Sequence, residues 1–122
     1  MVLEEQDEDE YPQQEEAVGK LAAFKARREN LFAKLTATRD VSKQTGPNSI
    51  SNFLARCEEL KQLKDKFDQY QLIIIDMNGL VPPEERLPVD SVSIAFDEVY
   101  YEIKATERVL NARMGVREEN PD

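Results

Sequence analysis

The 122-residue sequence predicts an all-α fold: a long antiparallel helical hairpin with a third helix, arranged as a three-helix bundle with coiled-coil-like seams. Three observations predict it. Apolar residues recur in three stripes at helical spacing, glycine and proline divide the stripes into separate segments, and the length suits one domain with tails. The first stripe is Leu21, Phe24, Arg28, Leu31 and Leu35, spaced 3, 4, 3, 4. The second is Phe53, Cys57, Leu60, Leu63, Phe67, Tyr70, Ile74 and Met77, in the same rhythm with one slip. The third is Val92, Phe96, Val99, Ile103, Thr106 and Leu110, spaced 4, 3, 4, 3, 4. A stripe of this kind must be covered by another helix, so each segment implies a partner.

Residues 1–13 are acidic and polar and contain Pro12, which predicts a disordered acidic tail. A helical domain is expected over residues 14–114. Its first helix runs from about Gln14 to Arg39, with Gly19 weakening the first turn. Val41 to Ser49 is a break in which Gly46-Pro47 stops the helix. Asn48, Ser49 or Ser51 is placed to cap the next one.

The second helix is expected over residues 50–77. Leu72 to Ile75 is apolar all round, and its consecutive isoleucines favour a strand. The stripe nevertheless continues through it, so the segment reads as helix whose end meets more than one neighbour. Asn78-Gly79 is a stop at which either residue can take the left-handed conformation. Pro82-Pro83 and Pro88 then hold an extended linker through Val89. At roughly 3.3 Å per residue, that linker crosses the end of the bundle with length to spare. The third helix can therefore pack beside its own hairpin or reach a second chain. It runs over residues 90–114, with Asp90 or Ser91 as cap and Gly115 as stop, and residues 115–122 form a tail.

The formal charge is −9, unevenly spread. Residues 1–16 are net −8, residues 20–43 net +5 and residues 44–122 net −6. An acidic balance argues against nucleic acid as the default partner of the whole chain. Within the basic segment, Lys20, Lys25, Arg27, Arg28 and Lys34 are candidate phosphate contacts, to RNA or to anionic lipid head groups. The competing reading is that they balance the acidic helices and tail. Arg28 also interrupts the first stripe, where a charge either fixes register or lies at a wet edge, its stem along apolar surface.

Catalytic chemistry finds little support. The chain has no histidine, which removes the commonest general base, and a single cysteine, Cys57, on an apolar stripe. Paired acids such as Glu58-Glu59 and Asp97-Glu98 lie where a solvated face is expected, and no phosphate-cradling glycine loop or calcium loop is present. No metal, cofactor or small-molecule substrate is implied. Phe96, Tyr100 and Tyr101 form an aromatic group, read as core packing with hydroxyls at the rim. The lone cysteine, the lack of a signal peptide and the absence of a long apolar run lead us to expect a cytosolic or nuclear protein.

Two stretches together carry a resemblance: Leu60-Lys61-Gln62-Leu63 through Asp68, and Ile94 through Ala105. In the second, Phe96, Asp97, Tyr100, Ile103, Lys104 and Ala105 hold a Phe-(Asp/Glu)-x-x-Tyr-x-x-(Ile/Val)-(Lys/Arg)-Ala pattern. Over residues 20–112 the chain resembles the amino-terminal helical region of Gag polyproteins from Bel/Pao-type LTR retrotransposons of animals. The resemblance implies a structural role, since Gag proteins assemble into particles and package element RNA. It is compatible with an excised segment, a truncated copy or a gene adopted by its host. The zinc knuckle and aspartic protease found downstream in such elements have no motif in this sequence.

The expectation is thus a non-enzymatic domain that forms a homo-oligomer or holds a helical protein partner. The residues expected to carry packing and self-association are Leu21, Phe24, Leu31, Leu35, Phe53, Leu60, Leu63, Phe67, Tyr70, Ile74, Phe96, Val99, Ile103 and Leu110. The alternatives are a host adaptor that binds a partner helix, or RNA or anionic-membrane binding through the basic first helix.

Overall fold

The computed structural model describes residues 2–113, with side chains from Gln14 to Arg113. Helices α1 (Val2–Val41), α2 (Ser49–Cys57), α3 (Leu60–Asn78) and α4 (Asp90–Arg113) follow in order, with a 3₁₀ turn at Pro83–Glu85 before α4. The fold is an all-α bundle, with no strand among the described residues. Helix α1 is the spine. It packs most extensively on α3 and also meets α4 and α2, while α2 rests on α4. No helix of the described residues is long and apolar enough to cross a membrane.

Helix α1 is helical from Val2, ahead of the start at Gln14 that the stripe predicts. Gly19 lies well inside it, in a run of strong helix formers, rather than at a fraying first turn. The segment expected as a disordered acidic tail over residues 1–13 is drawn into α1 from Val2, while the tail expected at 115–122 lies outside the described residues. Helix α1 closes by tightening: the amides of Lys43 and Gln44 donate to the carbonyls of Asp40 and Val41, three residues back, at 3.0 and 3.1 Å. Gly46 follows at φ 138°, a backbone state that favours glycine. Asn48 then precedes α2, but neither it nor a serine makes the side-chain cap expected there; Ser49 Oγ donates back to the Gly46 carbonyl at 3.0 Å.

The single helix expected over residues 50–77 is two. At the junction the amides of Glu58 and Glu59 donate to Ala55 and Arg56, again three residues back, at 3.2 and 3.0 Å. A turn wound with three residues returns side chains to one face every third position. That is where the second stripe slips, from Cys57 to Leu60 to Leu63. Beyond it, the all-round apolar run meets neighbours on one side only. Ile74 is buried and Ile73 half-buried, but Leu72 and Ile75 are 64% and 48% exposed, which corrects the expectation of neighbours on several sides.

Helix α3 ends without a left-handed residue. Gly79 keeps helical angles, φ −69° and ψ −12°, and the next amides tighten onto Asp76 and Met77. Asn78 fixes the linker instead: its Nδ2 donates to the Leu87 carbonyl and its Oδ1 accepts from the Leu87 amide, both at 3.0 Å. The linker returns α4 to its own chain. The Val89 carbonyl accepts the first helical bond, from Ser93, so Asp90 lies inside the first turn rather than capping it.

The core has two parts. The larger joins Leu31 and Leu35 of α1, Phe53 and Cys57 of α2, Leu60, Leu63 and Phe67 of α3, and Phe96, Val99, Ile103 and Leu110 of α4. At its centre the Phe67 and Phe96 rings stack, with centroids 3.9 Å apart and planes 15° off parallel. The smaller part holds Ala17, Leu21, Ile74 and Val81. Arg28 and Gln71 lie between the two parts in sequence order on α1 and α3, and both are buried.

Candidate functional site

Arg28 and Gln71 occupy core-facing positions of α1 and α3 and meet across the helix interface. The Arg28 guanidinium donates through Nη1 to Gln71 Oε1 at 2.7 Å and to the Pro88 carbonyl at 2.8 Å. The Gln71 amide nitrogen donates onward to the Val89 carbonyl at 3.0 Å and to Ser93 Oγ at 2.8 Å. Because arginine only donates, the amide oxygen of Gln71 must face it, which fixes the direction of the whole network. Four elements of the chain are tied at one node: α1, α3, the linker and the first turn of α4.

The electrostatics of the node are incomplete. Arg28 is only 4% exposed, yet no carboxylate of the described residues forms an ion pair with it. The neighbouring acid, Glu29, pairs with Lys25 at 3.6 Å on the surface. Burial lowers the Arg28 pKa from its ordinary value, with Glu29 opposing the shift. The group remains protonated all the same, because arginine does not lose its proton in proteins. A charge held by neutral acceptors alone is an unusual thing to keep in a core.

Arg28 also lines an open groove between α1 and α4, about 460 Å³ in volume. The other walls are Phe32 and Ala33 of α1, Pro88 of the linker, and Val92 and Ala95 of α4, with Lys25 and Glu29 at the rim. The groove joins an apolar lining to the Arg28 guanidinium, with the Lys25–Glu29 ion pair at its edge. Among the described residues no three or more His, Cys, Asp or Glu side chains gather where they could hold a metal ion.

The packing residues expected from sequence form the core of one chain. Twelve of the fourteen are buried, namely Leu21, Leu31, Leu35, Phe53, Leu60, Leu63, Phe67, Ile74, Phe96, Val99, Ile103 and Leu110. Phe24 and Tyr70 are half-buried and meet edge to face at 5.5 Å. The candidate phosphate contacts divide. Lys20, Lys25, Arg27 and Lys34 are exposed, while Arg28 is withdrawn into the node and is no surface contact. Arg27 lies over the Phe24 ring at 4.7 Å. Of the aromatic group, Phe96 is buried and Tyr100 half-buried, but Tyr101 stands outside the core.

Gln71 escapes a reading of residue types, because a glutamine in a charged helix looks like surface. The signal was its spacing, four residues after Phe67 and three before Ile74, which places it on the stripe.

Cys57 is buried, and burial, reinforced by Glu107, pushes its thiol up to about 12. It is therefore a packing group and no nucleophile at neutral pH.

Comparison with family models, with curated proteins and with solved structures finds no match for the chain.

Proposed function

We propose that the chain is a non-enzymatic interaction module that self-associates, in the manner of a Gag-like assembly domain, in a cytosolic or nuclear setting. The observation that carries this reading is an apolar row on the outer side of α4. Ile94 and Tyr101 are 62% and 58% exposed and stand seven residues apart, which places them on one face two turns from each other. Ala105 and Ala112, both exposed, continue the row and leave room for close approach of a second helix. Glu98 and Arg108, both exposed, fall within the same row, between Ile94 and Tyr101 and between Ala105 and Ala112, so the row mixes apolar contacts with one charge of each sign. Since the three stripes are used within the chain, exposed apolar side chains such as these are what is left for a second copy; Leu72 and Ile75 of α3 are a further such pair. The Gag-like pattern of α4 supports the same reading.

The test is absolute mass by light scattering after size exclusion, across concentration and at two salt levels. The expected mass exceeds the 14.0 kDa of one chain and rises with concentration. Tyr101→Glu is expected to return it to one chain without changing the melt, because the side chain lies outside the core. A mass of 14.0 kDa at every concentration overturns the reading.

A second reading draws on Lys20, Arg27 and Lys34, which are exposed and seven residues apart along α1. Such a row suits a phosphate backbone. It predicts RNA binding that weakens steeply with salt and is lost in Arg27→Glu; no binding at low salt removes it.

A further inference from the structure

Three of the five N–H donors of Arg28 have no acceptor among the chain's hydrogen bonds, since only Nη1 is engaged. Both Nη1 hydrogens are taken, one by Gln71 Oε1 and one by the Pro88 carbonyl. Nε and Nη2 have no such partner. They are not sealed in the core either, since Arg39 Nε is the only buried side-chain nitrogen or oxygen without a hydrogen bond among the described residues. An arginine with a free pair of neighbouring N–H donors has the geometry that takes a carboxylate through two parallel hydrogen bonds. Glu29 does not supply that carboxylate. Consecutive residues of a helix do not face one another, and Glu29 is engaged with Lys25.

We infer that the groove between α1 and α4 binds a small amphipathic carboxylate, with its head on Nε and Nη2 of Arg28 and its aliphatic body against Phe32, Val92 and Ala95. The volume of about 460 Å³ falls in the range of small-molecule sites. The α1 wall runs from Lys25 to Ala33, roughly 12 Å at 1.5 Å per residue, which suits a medium-length chain. No hydroxyl or amide side chain lines the groove, and its other polar side chains, Lys25 and Glu29, are engaged with each other, which disfavours a sugar or a base. The pairing of Lys25 with Glu29 at the edge of the groove leaves the Arg28 charge and its parallel Nε–H and Nη2–H donors to match a monoanion. A phosphate would leave its further oxygens and charge against apolar walls. Binding supplies the counter-charge that the fold omits and covers apolar surface in the same step. This assignment does not rest on self-association, because its residues are distinct from the Ile94 and Tyr101 row.

The experiment titrates the full chain with decanoate, decanol and decylamine, followed by two-dimensional ¹⁵N–¹H spectra. Decanoate is expected to give saturable shifts at the amides of Arg28, Phe32, Val92 and Ala95 and at the Arg28 Nε–H. Decanol is expected to bind at least about tenfold more weakly and decylamine not at all, because one charged hydrogen-bonded pair contributes about a decade or more. Ala95→Phe fills the groove without touching the Arg28 bonds, and is expected to abolish the decanoate shifts while the melt stays cooperative. Arg28→Lys keeps the charge but loses the paired donors, and is expected to weaken decanoate at least about tenfold.

Equal affinity for decanoate and decanol would reduce the groove to an apolar patch and overturn the assignment. So would the absence of saturable shifts, shifts centred on Leu72 and Ile75, or undiminished binding by the Ala95→Phe protein. Binding of an acidic leucine-containing peptide where decanoate fails would assign the groove to a protein segment and also overturn it.

Discussion

Arg28 shows how a single residue can be legible as an anomaly and illegible as a structure. Its position on a stripe is plain in the sequence, but its partners depend on where α3 and the linker come to lie. Gln71, Ser93 and the Pro88 and Val89 carbonyls are 43 to 65 residues away from it in no local pattern that spacing reveals, apart from the place of Gln71 on its own stripe. The energetics of the node follow from burial. Gln71→Leu removes one of the two acceptors that Arg28 Nη1 has in the chain and is expected to cost about 1.5–3 kcal/mol in urea unfolding. Arg28→Met combined with Gln71→Leu removes donor and acceptor together and is expected to cost clearly less than the sum of the single changes. Additive costs would mean that the two side chains do not depend on each other. Cys57 makes a separate prediction. Its folded pKa, about 12, lies above the ordinary value of 9.0. The unfolded chain therefore loses that proton first. The contribution is complete below about pH 9 and is lost as pH rises toward 12, so Cys57→Ala is expected to flatten the alkaline fall in stability. An unchanged alkaline slope would place its cause elsewhere.

The elements were legible where periodicity spoke and less so where the chain turns. All three stripes lie in helices, and the break around Gly46-Pro47 falls where those residues place it. The division between α2 and α3 was hidden because no glycine or proline marks it. Its one trace is the 3, 3 spacing through Cys57, Leu60 and Leu63, the arithmetic of a tightened turn. The glycines separate by backbone state in the same way. Gly19 is helical with nothing within 4 Å of an added Cβ, and Gly79 is helical with only the Asp76 carbonyl at 3.4 Å. Gly19→Ala and Gly79→Ala are each expected to stabilise by roughly 0.4–1 kcal/mol, through a less flexible unfolded chain. Gly46, at φ 138°, has open space around it but the wrong angles for an L side chain, so Gly46→Ala is expected to destabilise by more than about 1 kcal/mol. Thermal melts of the three variants order these effects, and a stabilised Gly46→Ala protein would show that the turn relaxes freely.

At the scale of the molecule, the stripes announce how many helices must be covered but not by which chain. A linker of this length permits either choice, and it is settled by contacts that no spacing predicts: the clasp of Asn78 on Leu87, and the stacking of Phe96 on Phe67. Phe96 is fully buried and also meets Phe32 and Tyr100, so Phe96→Ala is expected to cost about 3–5 kcal/mol. The two parts of the core are unequal. The larger joins all four helices, whereas the smaller draws its buried side chains from α1, α3 and the linker alone. Fewer buried apolar groups mean a smaller free energy for local opening. Native-state hydrogen exchange is therefore expected to show lower protection at the amides around Leu21 and Ile74 than around Leu35 and Phe67. Asn78→Ala removes both clasp bonds at the small end and is expected to widen that difference, leaving amides of the large core little changed. Uniform protection at the two ends, or an equal loss at both in Asn78→Ala, would mean that the polar layer of Arg28 and Gln71 binds the two parts into one cooperative unit.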